Sequence, residues 1–340
     1  MSKDQVTSLD VARRAGVSQS AVSRVFTPGA SASAATAAKV KKAANELGYR
    51  PNPLARAMIT GKSRIIGLLV AYLDNQFYPL ALERLSASLQ ARGYHILVFM
   101  AKDSRDGIDE IIRELLDYRV DGIIAASVDM TSDLAERCAQ AGIPVVLFNR
   151  GQDGSGLSTV TSANVDGGRR VADFLARGGH SRIAHIAGWG ESSTGRDRQR
   201  GLVEGLSAHG LAPIEIIDGM YDRDVAAKAT RKLMARSEPP DAIFVGNDHM
   251  ALAVMDTLRH ELGLKVPDDV SVVGYDDVPL AAWGAYDLTT VRQPLNRMVD
   301  ATVDTLLAEI NTKDRPGQKT EIDGPLIVRT SARIPDGWKT

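Results

Sequence analysis

Several polar side chains stand just past short apolar runs. Asn149 follows Val145–Phe148, Asn247 and Asp248 follow Ala242–Val245, and Asp276 and Asp277 follow Val270–Gly274 and Tyr275. Arg198 follows the loop Gly188–Gly195. A carboxylate accepts hydrogen bonds, an Asn amide donates and accepts, and a guanidinium forks two donors toward a diol or a carboxylate. Gathered around a small molecule, these groups would hold its hydroxyls. Two other readings use the same residues. Asn and Asp after a strand also cap the next helix, and Asp248 in particular can cap one beginning at His249. Asp276, Asp277 and Arg198 could instead be the acids and the cation of a hydrolase or isomerase. Aromatic residues are scarce, and Tyr72, Phe77, Tyr78, Trp189, Tyr221 and Trp283 all fall at or near the same run ends. Aromatic faces stack on sugar or base rings. Phe77, Tyr221 and Trp283 are the candidates for this, the alternative being packing within the fold.

A second group of polar residues lies at the other end of the chain. In Thr7–Thr27, Gly16 sits where one short helix must stop and reverse, and Ser18 suits the N-cap of the next. Asp10, Val11, Ala12 and Ala15 are expected on one inner face, and Ala21, Val22 and Val25 on another. Gln19, Ser20, Ser23 and Arg24 then face outward, as the base-reading side chains of a helix in a major groove would. Ser33 is a plausible N-cap for a third helix, Ala34–Leu47, closed by Gly48. Residues 1–64 hold 11 Lys or Arg against 3 Asp or Glu, a net of +8, whereas the whole chain is at −1. A basic head on an acidic body suits a phosphate backbone.

The elements that must position the first group are short apolar strands alternating with amphipathic helices. Strands are expected at Ile65–Val70, Tyr94–Phe99, Val120–Ala126, Val145–Phe148, Arg182–Ala187, Ile214–Ile217, Ala242–Val245 and Val270–Gly274, with helices between them. Two such series imply two doubly wound α/β lobes rather than one very wide sheet. Ligands of such sheets bind beyond the carboxyl ends of the strands, where the polar residues stand. Arg198 is expected to open its helix.

Nothing in the sequence points strongly to catalysis. There is no glycine-rich dinucleotide loop and no Walker loop. The six His are scattered, and Cys138 is alone, which suits a reducing cytoplasm and a small buried apolar role. No signal peptide precedes the helical hairpin and no apolar run is long enough to span a bilayer. No cofactor, metal, enzymatic activity or membrane partner is expected.

The segments DVARRAGVSQSAVSRV, ANELGYRPNPLARAM and IIGLLV together resemble the lactose-repressor/galactose-repressor (LacI–GalR) family of bacterial regulators. The resemblance implies a helix-turn-helix DNA-binding domain at 1–50 and a hinge helix and linker at 51–63. It implies a core like that of periplasmic sugar-binding proteins, with lobes at 64–161 plus 292–322 and at 162–291 plus 323–340. The second helix then enters the major groove of a pseudo-palindromic operator, with Gln19 and Ser20 setting operator preference and Arg24 touching base or phosphate. Thr7, Ser18, Ser23, Asn52 and Ala55 complete that surface. Within the hinge segment Pro53–Ile59, Met58 takes the position of the usual leucine wedge in the minor groove, and Ala21 replaces a common Thr. Asn149, Arg198, Asn247, Asp248 and Asp276 match effector contacts in the core. The implied function is a homodimeric, cytoplasmic repressor controlled by a small molecule, a sugar by default. The tail after Ser331 has no heptads, so no tetramer-forming helix is expected. A sugar-binding module without DNA function is the remaining rival; it would bind ligand but show no salt-dependent DNA affinity.

Overall fold

A computed structural model describes residues 6–27, 30–50, 62–101, 105–128, 132–312 and 317–338. The chain divides into two compact units, Met1–Arg64 and Ile65–Thr340.

The first unit is helical: α1 (Ser8–Ala15), α2 (Gln19–Phe26) and α3 (Ala34–Leu47). Its boundaries follow from its caps. Thr7 accepts from the Asp10 N–H, and the Asp10 carboxylate accepts in return from the Thr7 N–H at 2.9 Å. Asp10 therefore closes a capping box rather than contributing to an apolar face. Gly16 ends α1 in the left-handed region at φ 65°, and Ser18 and Ser33 cap the next two helices. Val11, Ala12, Val22, Val40, Ala43 and Ala44 form the small core, and the Phe26 and Tyr49 rings meet at 6.0 Å beside it. So small a core makes each cap count. Thr7→Ala is expected to cost this unit about 1 kcal/mol, read as a lowered urea midpoint of its unfolding. An unchanged midpoint would mean that the capping box is idle.

The second unit holds two six-stranded sheets. The first runs β11-β5-β4-β3-β1-β2, all parallel: β1 (Ile65–Val70), β2 (His95–Met100), β3 (Gly122–Ala126), β4 (Val145–Phe148), β5 (Ser158–Ser162) and β11 (Lys319–Ile322). The second runs β12-β10-β9-β8-β6-β7: β6 (Ile183–Ala187), β7 (Glu215–Asp218), β8 (Ala242–Val245), β9 (Ser271–Asp276), β10 (Thr289–Arg292) and β12 (Leu326–Ile327). Among the described residues only β12 is antiparallel to its neighbour. The central strands β3, β4, β6, β8 and β9 are buried along their whole length, as parallel strands covered on both faces must be.

The chain passes between the sheets three times among the described residues. It leaves β5 for the helix Asn164–Arg177, leaves β10 through Gln293 and Pro294, and leaves β11 through residues 323–325 toward β12. Four strands, β5, β10, β11 and β12, were not expected from the sequence. They are short, and three are rich in Thr, Ser or charge, so they lack the apolar signature of the others. A further difference concerns Arg198. Its helix runs Ser193–Ala208 with Ser192 as N-cap, so Arg198 lies in the second turn rather than opening it. The helices Asn164–Arg177 and Ser193–Ala208 pack backbone to backbone. A Cβ on Gly201 would stand 2.0 Å from the Val165 carbonyl oxygen, and one on Gly168 would stand 2.4 Å from that of Arg198.

Candidate functional site

On the first unit, Gln19, Ser20, Ser23 and Arg24 are exposed along α2, beside Val22, which is buried. Gln19 donates to the Ser8 hydroxyl at 2.9 Å, and the Ser18 and Ser20 hydroxyls lie 3.0 Å apart. The surface is short-chained and polar, with Arg24 its one long cation among the described residues of α2. Thr7 and Ser18 carry the two N-caps. Asn52, Ala55 and Met58, with the whole segment Pro53–Ile59, lie outside the described residues.

On the second unit, the carboxyl ends of both sheets face one cleft. It is lined by Tyr72, Asn75, Tyr78, Asn149 and Arg150 from one lobe, and by Thr194, Arg198, Tyr221, Asn247 and Asp276 from the other. The turns that deliver these side chains are conformationally unusual. Ser127, Asn149, Met220, Tyr221, Asp276 and Asp277 all have φ between 54° and 129° without being Gly. Such backbone is costly for a residue bearing a Cβ, and it clusters where function fixes geometry.

Arg198 is the centre of the cleft and is fully buried. Its Nε donates to Asn164 Oδ1 at 2.9 Å, one Nη donates to the Gly246 carbonyl at 2.6 Å, and its guanidinium lies 3.7 Å from the centre of the Tyr275 ring. The same Nη is 3.6 Å from the Asp276 carboxylate. Gln293 donates to that carboxylate at 2.8 Å, and Asn75 hydrogen-bonds it from the other lobe. Asn149 donates to the Tyr78 hydroxyl at 3.0 Å, and Tyr221 shares a 2.8 Å bond with Thr194. Among the described residues three buried amide oxygens are left without a donor: Asn149 Oδ1, which lines the cleft, Gln293 Oε1, on the side chain that donates to Asp276, and Gln76 Oε1.

Three of the expected contacts stand elsewhere. Asp248 is fully buried, accepts from the Val278 N–H at 3.0 Å and the Thr290 hydroxyl at 2.6 Å, and is not among the residues that line the cleft. It does not cap its helix either. Asn247 does that, accepting from the Met250 N–H at 2.9 Å, and Asn247 also lines the cleft. Phe77 turns into the core, stacked on Phe148 at 6.2 Å, while its neighbour Tyr78 takes the cleft face. A phenol needs a polar partner when buried, and a phenyl ring does not. Trp283 follows a short 3-10 turn and is 60% exposed. Tyr72, Asn75, Tyr78, Arg150 and Thr194 also line the cleft without being singled out by the sequence, although Tyr72, just past β1, and Tyr78, in the first turn of the helix Phe77–Ala91, are among its scarce aromatics.

The pair Asp276 and Asp277 does not form an acid–base couple. Asp277 is gripped by Arg292 and Arg329, each at 2.6 Å. Burial pushes the Asp276 carboxyl above the ordinary carboxylate range, and Arg198, Gln293 and Asn75 partly offset that. Burial and the nearby Asp276 charge raise Asp248 as well. Burial also pushes the Cys138 thiol up to about 11, so it offers no thiolate.

A carboxyl raised in the folded state keeps its proton while the unfolded chain releases one. Its contribution to stability is full below the ordinary carboxylate pKa and fades as pH rises through the folded value. Asp248→Asn keeps an acceptor for Val278 and presents a donor that the rotating Thr290 hydroxyl can accept. The stability of this variant relative to the parent is therefore expected to rise steadily from about pH 4 to pH 7, measured by urea unfolding of the core at several pH values. Parallel pH curves would show that Asp248 titrates normally.

The cleft is closed around a cavity of only about 10 Å³, room for roughly one water. Contacts from lobe to lobe hold it: Asp74 with His249 at 3.6 Å, the Gly151 N–H on the Ser193 hydroxyl at 2.9 Å, and Arg150 over the Trp189 ring at 5.5 Å.

Comparison with known proteins agrees with both halves of this description. Residues 7–52 match the bacterial regulatory proteins of the lacI family, and residues 172–332 match the periplasmic binding protein-like domain. The HTH-type transcriptional repressor PurR of Vibrio campbellii is 32% identical over 327 residues, covering 95% of this chain and 98% of that protein. The lac repressor dimer bound to operator and the anti-inducer ONPF superposes with a TM-score of 0.87 at 28% identity, over 96% of this chain and 99% of that one. The complex of the transcriptional regulator CelR with cellobiose gives 0.73 at 30% identity, over 96% and 100%. The helical head with its exposed polar helix, the two-lobed core and these full-length matches lead to one conclusion: this chain belongs to the LacI family and is a DNA-binding transcription regulator with a ligand-binding core.

Proposed function

We propose that this regulator is a cytoplasmic repressor that binds a pseudo-palindromic operator as a homodimer, and that its effector is a carbohydrate of about monosaccharide size. The observation that carries the effector class is the orphaned acceptor Asn149 Oδ1 in a cleft that also holds Arg198 and Asp276, with a second orphaned acceptor, Gln293 Oε1, on the side chain that donates to Asp276. Buried acceptors call for donors. A polyol supplies donors and acceptors on adjacent carbons, which suits a carboxylate beside a guanidinium. Tyr72, Tyr78 and Tyr221 offer ring faces for the C–H side of a sugar. Those rings also suit a planar nucleobase, which is the second reading. We read no catalysis in the cleft, because Asp277 is fully engaged by two arginines and leaves Asp276 without an acid–base partner.

A ligand of that size enters only if the lobes part, since the cavity is much too small. Parting them turns the crossing segments of the chain, and this gives effector occupancy a mechanical output. DNA affinity and effector affinity then change each other by the same factor.

Two measurements test this. Selection of randomised duplex DNA at about 150 mM salt suppresses loose phosphate binding, and enrichment of a pseudo-palindrome with a flexible central step is expected. Failure to enrich would overturn DNA binding by the ligand-free protein. Thermal unfolding with D-ribose, D-glucose, D-galactose, cellobiose, adenine and guanine then identifies the class. A monosaccharide is expected to raise the midpoint by about 5–10 °C at a hundredfold excess over its Kd, and a shift with a base alone would overturn the carbohydrate assignment.

A further inference from the structure

The first crossing between the lobes, Ser162–Asn164, touches the centre of the cleft directly. Asn164 opens the helix Asn164–Arg177 and is 4% exposed. It does not cap that helix. Its Oδ1 accepts from Arg198 Nε at 2.9 Å and from the Ser162 hydroxyl at 3.1 Å, while its Nδ2 donates to the Ser162 carbonyl at 3.0 Å. The Ser162 hydroxyl is also 3.3 Å from the hydroxyl of Tyr275, whose ring carries the Arg198 guanidinium. The last residue of β5 and the first residue of the next helix are thus joined to Arg198 by one buried network. The third crossing is different. There Asp323 and Gly324 bind Arg170, which does not line the cleft.

We propose that Asn164 is a positioning residue that couples the Arg198 guanidinium to the torsion of the first crossing. One acceptor oxygen serves both Arg198 and Ser162. If the guanidinium moves toward a molecule in the cleft, that oxygen loses a donor or follows it, and the peptide between Ser162 and Asn164 turns. If the lobes rotate, Asn164 moves and carries Arg198 with it. Glycine makes the arrangement possible: a Cβ on Gly167 would stand 2.5 Å from the Tyr275 hydroxyl and expel it from the network. This inference rests on the reading of Arg198 as an effector contact.

The test uses the full-length protein with spin labels at Glu114→Cys and Lys228→Cys, one exposed site on each lobe, and pulsed distance measurement between them. Asn164→Leu removes the acceptor, and Asn164→Asp keeps it. Asn164→Leu is expected to change the ratio of open to closed populations by about tenfold, the scale of a hydrogen bond to a charged group. Asn164→Asp, which keeps the acceptor for Arg198 but loses the donor to the Ser162 carbonyl, is expected to lie closer to the parental distribution than Asn164→Leu. Arg198→Leu combined with Asn164→Leu is expected to shift it no further than Arg198→Leu alone, because the two act as one unit. A purely structural role for Asn164 would give additive shifts, and additivity overturns the proposal. So does an unchanged distribution in a folded Asn164→Leu, or an Asn164→Asp no closer to the parent than Asn164→Leu. If Asn164→Leu does not fold, Asn164→Ala takes its place in the cycle. Binding of D-ribose and D-glucose to Arg198→Leu is measured separately. Retained sugar binding beside a non-additive cycle would end the effector reading of Arg198 and leave the coupling intact.

Discussion

Asp276→Asn is expected to weaken effector binding by about 10- to 100-fold and to leave the operator affinity of the ligand-free protein within about threefold. The loss corresponds to one hydrogen bond to a charged group, about 1.5–3 kcal/mol. The carboxylate is held in place by Gln293 and Asn75, so the amide occupies the same site with little movement. It presents an NH₂ donor where the carboxylate accepted, and it leaves Arg198 with no negative charge within 4 Å among the described residues. Asn and Asp have the same heavy-atom shape, so the 129° backbone already borne by Asp276 is no added obstacle to the amide. Asp276→Ala removes the group altogether and combines strain with an uncompensated buried cation, which makes the amide the cleaner test. The measurement is titration calorimetry with the sugar that stabilises the parent, paired with fluorescence anisotropy on the selected duplex. Equal loss of sugar and DNA binding would assign Asp276 to folding, and undiminished sugar binding would remove it from the site.

Gly201→Ala is the second large effect. The added methyl would meet the Val165 carbonyl oxygen at 2.0 Å, its carbon at 2.8 Å and the Gly168 Cα at 3.0 Å. All three are backbone atoms, so no side chain can swing aside and the two helices must separate. Overpacking of this kind costs about 3 kcal/mol or more, which for a core of this size lowers the melting temperature by roughly 6–12 °C. Because Arg198 lies one turn earlier on the same helix, effector affinity should fall as well. Gly284 supplies the control, since a Cβ added there would meet no atom within 4 Å and its φ is not positive: Gly284→Ala should melt with the parent. A Gly201→Ala protein that melts with the parent would refute the close helix contact.

Much of this architecture was legible because single residue types dictated it. Gly16 and Gly48 terminate helices in the left-handed region, and Ser18 and Ser33 begin them. The short apolar runs announce parallel strands, and six of the eight expected came out within a residue of β1, β2, β4, β6, β7 and β8. What escaped was set by orientation rather than composition. Phe77 and Tyr78 are adjacent, yet helix phase sends one to the core and the other to the cleft. Asn247 and Asp248 are adjacent too, and the N-cap falls on the first, which sends the second inward as a strut to Val278 and Thr290. The helix start at Ser193 was hidden in a Gly- and Ser-rich stretch, which displaced Arg198 from its expected place at the helix start. Strand β5, Ser158–Ser162, reads as a polar loop, yet four of its five residues are buried, because neighbouring strands and the Glu309 carboxylate satisfy its hydroxyls and backbone.

The left-handed turns at the strand ends limit how this cleft can change over evolutionary time. Asn149, at φ 69°, holds a left-handed conformation that Asn, Asp and Gly tolerate and β-branched residues do not, and Asp276, at φ 129°, holds one that disfavours every side chain and β-branched ones most. A duplicated gene drifting toward a new effector can exchange charge for amide at these positions, or delete the side chain, but it cannot install a Val, Ile or Thr without rebuilding the turn. New specificity must then come mainly from positions on regular helix, such as Tyr78 and Thr194, where any side chain is conformationally free. The cleft therefore has a fixed polar alphabet at its strand ends and a variable one on its helices.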